Sequence, residues 1–286
     1  MVGGQAVIEG VMMRGPGRIA TAVREPGGSI AVDARSLTSI SDRYPILKKP
    51  FLRGTVTLVE SLVWGIRSLS YSAKMAGEED EQLTDREMAL TIVIALALAC
   101  VLFIAIPTGA ARLLHTVTED PFLLNLMEGA LRLIIFLGYL GGISCMKDIR
   151  RVFQYHGAEH KTIFCYEAGM PLTVENVQSF PRLHPRCGTT FLLIVMVVSI
   201  FVYAFLGWPD LWLRIVSRIA LLPVIAGISY EFIRLAGRSK SPVIHALILP
   251  GLWLQYLTTR PPDDSMVEVA IKSLKAVLPE DELAVL

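Results

Sequence analysis

Apolar and polar positions alternate in three regimes along the chain, and each predicts a different kind of element. From Met88 to Pro107 (MALTIVIALALACVLFIAIP) no charge interrupts the apolar run, and twenty residues at 1.5 Å rise match a hydrocarbon core about 30 Å thick. A second span is expected from Phe122 to Met146; it carries Glu128 and Arg132 in its first half and small residues suited to close helix packing in its second. Thr190 to Leu206 and Leu211 to Tyr230 flank Gly207-Trp208-Pro209-Asp210 and read as a helical hairpin with interfacial aromatics. Arg214 and Arg218 in its second arm must snorkel, pair, or face the bundle interior. Pro242 to Tyr256 is apolar but short and interrupted by Pro250-Gly251, so a re-entrant or interfacial helix is expected there.

The second regime has a helical period with polar residues between. Pro50 to Met75 repeats Phe51, Leu52, Thr55, Leu58, Val59, Leu62, Val63, Ile66 and Leu69, which predicts an amphipathic helix. Such a helix either packs on the spans or lies in the inner leaflet with Trp64 at the headgroups. An acidic run, Glu78 to Glu81, follows as a solvated linker, and Met266 to Leu278 predicts a short amphipathic helix after the break at Pro261-Pro262. The third regime is strand-like. Ile19 to Glu25 and Ser29 to Arg35 alternate around Pro26-Gly27-Gly28, the pattern of a β-hairpin.

Together these predict a mainly α, multi-spanning membrane protein with about four spans, a re-entrant or interfacial helix and a small N-terminal β-hairpin. Three regions follow: 1–87 N-terminal and cytosolic or interfacial, 88–260 membrane-embedded with a cytosolic loop at 147–189, and 261–286 a cytosolic tail. Lys147, Arg150, Arg151, Lys161, Arg182 and Arg186 fill the long middle connection, whereas Thr108 to Pro121 holds only Arg112. The positive-inside rule therefore places the middle connection and both ends in the cytosol, the latter supported by Arg234, Arg238, Lys240 and Arg260. No secretory signal pattern opens the chain, which agrees with that orientation.

Composition supports the membrane reading: of 286 residues, 53% are hydrophobic and 19% charged, with mean hydropathy +0.52. The lipid bilayer is the expected partner. A net charge of +1 gives no field to gather nucleic acid, and the N-terminal glycines lack the spacing and the Lys-Ser/Thr of a phosphate loop. Four scattered cysteines exclude a disulfide scaffold.

The candidate chemistry sits in Tyr155-His156-Gly157-Ala158-Glu159-His160-Lys161. At about 100° per residue His156, Glu159 and His160 share one helix face, in the H-x-x-E-H spacing that places two imidazoles on one zinc and a carboxylate beside it as general base. Further ligands come from Glu167 on the same face, His184 and Cys187 at H-x-x-C spacing, or Glu231 beyond the fourth span. Closure by His184 and Cys187 makes a structural site; two histidines with a carboxylate make a hydrolytic one, with Glu159 catalytic. Zinc suits this donor set, although histidines and carboxylates alone also accept iron or manganese.

GGQAVIEGVMMRGP (Gly3–Pro16), HGAEHKTIFCYE (His156–Glu167), HPRCGTTF (His184–Phe191) and GISYE (Gly227–Glu231) resemble the motifs of the YqhQ-like membrane family, the domain of unknown function 1385 family. The likeness covers nearly the whole chain in order. It implies a bacterial inner-membrane protein with a predicted metal-dependent activity and no assigned substrate. It also singles out Gln5, Glu9 and Arg14 as substrate or supporting contacts, beside the metal candidates His156, His160, Glu167, His184, Cys187 and Glu231. The expected function is a membrane-bound zinc hydrolase acting on a peptide or lipid-linked substrate, with a zinc-bearing scaffold and a transporter as alternatives.

Overall fold

A computed structural model describes residues 2–77, 84–237, 239 and 241–283; the acidic run at 78–81 and the cations Arg238 and Lys240 lie outside the described residues. The chain is mainly helical and opens with a four-stranded antiparallel sheet, β1 (Gly3–Val7), β2 (Gly10–Gly15), β3 (Arg18–Arg24) and β4 (Ile30–Ser36), in sequential order. The predicted hairpin is β3–β4. The glycine-rich segment before it supplies two more strands, which the sequence reading left unassigned.

Those strands lack visible alternation because both faces of the sheet are covered. Val11, Met13, Ala20 and Ala22 point to one side and join a core with Tyr155, Ala158, Met266, Val269, Ala270 and Leu274. Val7, Met12 and Ile19 point to the other side and meet Trp64. Trp64 thus packs on the sheet rather than serving as a headgroup anchor.

Two short helices, α1 (Ile40–Arg43) and a 3₁₀ turn at Pro45–Lys48, lead into α2 (Leu52–Ala76), the predicted amphipathic helix. Its buried residues are small or polar: Gly54, Glu60, Gly65, Ser68 and Ser72. Gly54 meets Tyr230 and Gly227, Ser68 accepts from Thr21 at 2.9 Å, and Glu60 pairs with Arg14 at 2.6 Å. Val59, Leu62, Val63, Ile66 and Leu69 face outward. A helix that buries its polar side and exposes its apolar one is matched to a lipid environment.

The apolar helices follow. α3 (Asp85–Cys100), started by a Thr84/Glu87 capping box, runs through a π turn at Val101–Ala105 into α4 (Ile106–Leu114). Pro107 has no N–H for the Phe103 carbonyl one turn earlier, and Arg132 Nε donates to that carbonyl at 3.1 Å. α5 (Pro121–Ile143), α8 (Gly188–Ala204), α9 (Leu211–Ala236) and α10 (Pro242–Thr258) complete the bundle, with α6 (Lys147–Glu167) and α7 (Val174–Gln178) between α5 and α8. Residues 86–110, Pro121–Ile143 and Leu211–Ala236 form three helices long and apolar enough to cross a membrane; α8 and α10 are shorter apolar helices.

Charges inside the bundle are paired. Glu128 accepts from Arg132 at 2.9 Å and from Arg218 at 2.5 and 2.8 Å, which ties α5 to α9. α10 is continuous through Pro250-Gly251; Gly251 lies where Thr190 of α8 approaches, so the glycine serves helix contact and not a chain reversal. After α10, α11 (Asp264–Lys275) packs on β2, β3 and α6, and α12 (Glu280–Leu283) ends the described chain. The segment expected as a tail is therefore part of the sheet's core.

Candidate metal centre

α6 crosses the sheet with His156, Glu159 and His160 on one side, and the residues between them are small for a reason. A side chain at Gly157 would collide with the carbonyl of Arg260, where the segment leaving α10 crosses α6; Arg260 N–H donates to Phe153 O at 2.8 Å. That crossing brings the end of α10 to His156. The Thr258 carbonyl, at a helix C-terminus where carbonyls lack intrahelical partners, meets His156 Nδ1 at 2.7 Å. The Arg182 carbonyl meets His160 Nδ1 at 2.5 Å.

With Nδ1 of each ring set against a carbonyl, each Nε2 is the nitrogen left to carry either a proton or a metal ion, the arrangement that supporting carbonyls give to metal-binding imidazoles. Cys187 completes the group. Its Sγ lies 3.2 Å from His156 Nε2, and the ligand atoms of His156, His160 and Cys187 all fall within 4.8 Å of one another. Among the described residues these three form the group able to hold a metal ion.

Local structure favours the thiolate. Cys187 is the N-cap of α8, and Sγ receives the Thr189 amide at 3.4 Å and lies 3.1 Å from the Thr189 hydroxyl. Burial opposes ionisation, but the His156 and His160 imidazoles outweigh it and hold the thiol well below its usual range. Burial likewise disfavours a charged His156, yet the charge and hydrogen bond of Cys187 push it up to about 9. Each side chain thus favours the charged form of the other, and binding of a cation to the thiolate would compete with the proton on His156.

Glu159 is 5% exposed, and its Oε2 has no hydrogen-bond partner among the described residues. Burial raises its carboxyl above the usual range; His156 and His160 oppose this, as does the backbone amide of Gly4. A side chain on Gly4 would stand 2.6 Å from the Met12 carbonyl and 3.0 Å from Glu159 Oε1, so a glycine is required for β1 to approach this close. Gly4, Thr258, Thr189 and the Arg182 carbonyl are site residues that the sequence reading missed; the paired glycines were the available signal for the first.

The other candidates lie elsewhere. Glu167 bonds to Arg186, and the His184 ring and Arg186 together hold its carboxyl below the usual range. His184 lies next to the group, its ring 5.5 Å from that of His160, but turns Nδ1 to the Arg186 amide at 3.2 Å and Nε2 toward Glu167 at 3.8 Å, and burial lowers its pKa. Glu231 pairs with Arg53 at 2.5 and 2.7 Å. Arg14 is committed to Glu60, Glu9 bonds to Arg151 and to the Tyr155 hydroxyl, and Gln5 covers Gly65 of α2. These contacts hold the sheet to α2 and α6.

Sheet, bundle and imidazole–thiolate site together define a membrane-type helical protein with an N-terminal sheet cap. Residues 49–280 match the family described as Protein of unknown function (DUF1385), and the chain belongs to that family. It is 42% identical over 297 residues to the uncharacterized protein YqhQ of Bacillus subtilis (strain 168), covering 96% of this chain and 92% of that protein. No solved structure matches.

Proposed function

We propose that the chain is a membrane-bound zinc hydrolase whose site lies at the cytosolic face. The observation that supports it is the meeting of two carbonyl-bonded histidines and a buried cysteine beside a carboxylate whose Oε2 has no partner among the described residues. His156, His160 and Cys187 match the donor types and number that catalytic zinc takes from protein. A zinc ion held there supplies Lewis acidity to polarise a carbonyl. Glu159, with its carboxyl raised by burial, takes the proton from the attacking water and passes it to the leaving group. In this reading the basic residues of 147–189 stay on the cytosolic side, as the positive-inside rule expects, and 86–110, α5, α8 and α9 make four crossings.

A second reading, a structural zinc in a membrane scaffold, is favoured by burial, since His160 is 2% and Cys187 4% exposed. Glu159 would then serve as a fourth donor. Glu159→Gln in zinc-loaded protein separates the two, with 4-nitrophenyl acetate and a fluorescence-quenched peptide as probes. The hydrolase reading predicts retained zinc and a rate reduced by about 10²–10⁴-fold. Zinc-loaded wild type without hydrolysis, in which Glu159→Gln weakens zinc retention, establishes the scaffold.

A further inference from the structure

The segment that joins the sheet to α2 presents its side chains outward. Between Ser39 and Arg53 the chain forms α1 and the 3₁₀ turn, and neither buries a residue. Ile40, Tyr44, Ile46, Phe51 and Leu52 are each 45–60% exposed, and the exposed cations Arg43, Lys48 and Lys49 stand among them. Asp42, which pairs with Lys48 at 2.8 Å, is the one acidic residue of the segment. The backbone behind this surface is held. Glu60 of α2 accepts from the Ser39 hydroxyl at 2.7 Å and the Ile40 amide at 2.9 Å, and Arg14 of β2 binds the same carboxylate. Phe51 is left-handed at φ 68°, a conformation that bulky side chains seldom adopt, and α2 starts from it.

The second, independent observation is where the segment sits. A side chain at Gly227 of α9 would stand 2.7 Å from the Phe51 carbonyl, the Phe51 amide faces Glu231 at 3.4 Å, and Arg53 pairs with Glu231. α9, long and apolar enough to cross a membrane, carries no charge from Ile219 to Tyr230 and turns polar at Glu231 and Arg234. The segment therefore meets that helix where its apolar stretch gives way to charge. Leu52 also opens the outward row of α2, because seven, eleven and fourteen residues on, Val59, Val63 and Ile66 return to the same side of the helix.

Apolar and aromatic side chains interleaved with lysine and arginine at the end of a span match a headgroup layer: the apolar parts enter the acyl boundary and the long cations reach phosphates. A protein-binding surface is instead depleted in lysine. We infer that residues 39–53 form an interfacial anchor that binds anionic phospholipid, with Ile40, Tyr44, Ile46 and Phe51 in the boundary layer and Arg43, Lys48 and Lys49 on lipid phosphates. Glu60, held by both the anchor and β2, then fixes the height of the sheet above the bilayer. The inference rests on α9 as a span and is independent of the hydrolase reading.

The test uses full-length protein with Cys100→Ser, Cys145→Ser and Ile46→Cys, labelled with bimane at position 46, in nanodiscs of phosphatidylcholine with or without phosphatidylglycerol; Cys165 and Cys187 are buried. Nitroxide lipids labelled near the headgroup should quench the bimane, more strongly with phosphatidylglycerol, and acrylamide should not. Delipidated protein in detergent should bind phosphatidylglycerol about tenfold more tightly than phosphatidylcholine by native mass spectrometry. Arg43→Gln, Lys48→Gln and Lys49→Gln together should abolish that preference and leave thermal unfolding unchanged, since all three side chains are exposed. A bimane open to acrylamide in both discs overturns the inference, as does equal affinity for the two lipids or a preference that survives the triple substitution. A bimane shielded from acrylamide and nitroxide lipids alike also overturns it and makes the segment a protein contact.

Discussion

Gly157 shows how one residue ties local geometry to the candidate metal centre. An interior helix glycine ordinarily costs about 1 kcal/mol relative to alanine, so Gly157→Ala would stabilise an isolated α6. Here the added methyl meets the Arg260 carbonyl, two residues beyond the Thr258 carbonyl that orients His156. The expected outcome is destabilisation by about 1–3 kcal/mol through overpacking, read by thermal unfolding in detergent, with weaker retention of the proposed zinc. At this scale His156, Glu159, His160 and Cys187 were all legible as candidates, because helical spacing is a property of sequence. The choice among Cys187, His184, Glu167 and Glu231 was not, because it depends on which loop reaches α6. Glu167 and Glu231 have arginine partners, Arg186 and Arg53, that no spacing rule identifies.

At the scale of elements, α10 holds the loop that delivers Cys187. Gln255 is fully buried, accepts from the His184 amide at 2.7 Å, and donates to the His184 carbonyl and the Thr190 hydroxyl, each at 2.8 Å. Gln255→Leu leaves three buried polar groups without partners and should cost about 2–4 kcal/mol, measured by chemical or thermal unfolding. Zinc affinity should fall about tenfold because the Cys187 loop loses its tether, as competition with a chelator would register. The sequence showed an apolar stretch with Pro250-Gly251 and pointed to a break; the helix runs through the pair, and Gly251 makes room for Thr190 of α8. β1 and β2 were illegible for a related reason. Glycines and a doubly covered sheet erase the alternation on which strand reading depends, whereas β3–β4 kept its turn signal at Pro26-Gly27-Gly28.

At the scale of the whole molecule, a water-type core and a membrane-type bundle share α2 and α6. The sheet, α6 and α11 bury aliphatic side chains, while α2 turns its apolar side outward and its glycines and serines inward. Composition and the long apolar runs made the membrane class readable. The inversion of α2 was not, since periodicity gives a stripe without saying which side is buried. The candidate metal centre lies at this junction, built from α6, the end of α10 and the start of α8.

The most direct test is the cobalt spectrum and metal stoichiometry of detergent-purified full-length protein, compared with Cys187→Ser. The account predicts about one metal per chain, four-coordinate cobalt bands and a thiolate-to-cobalt charge-transfer band that vanishes in the variant. Folded protein that retains no metal, or a charge-transfer band unchanged by Cys187→Ser, would contradict it.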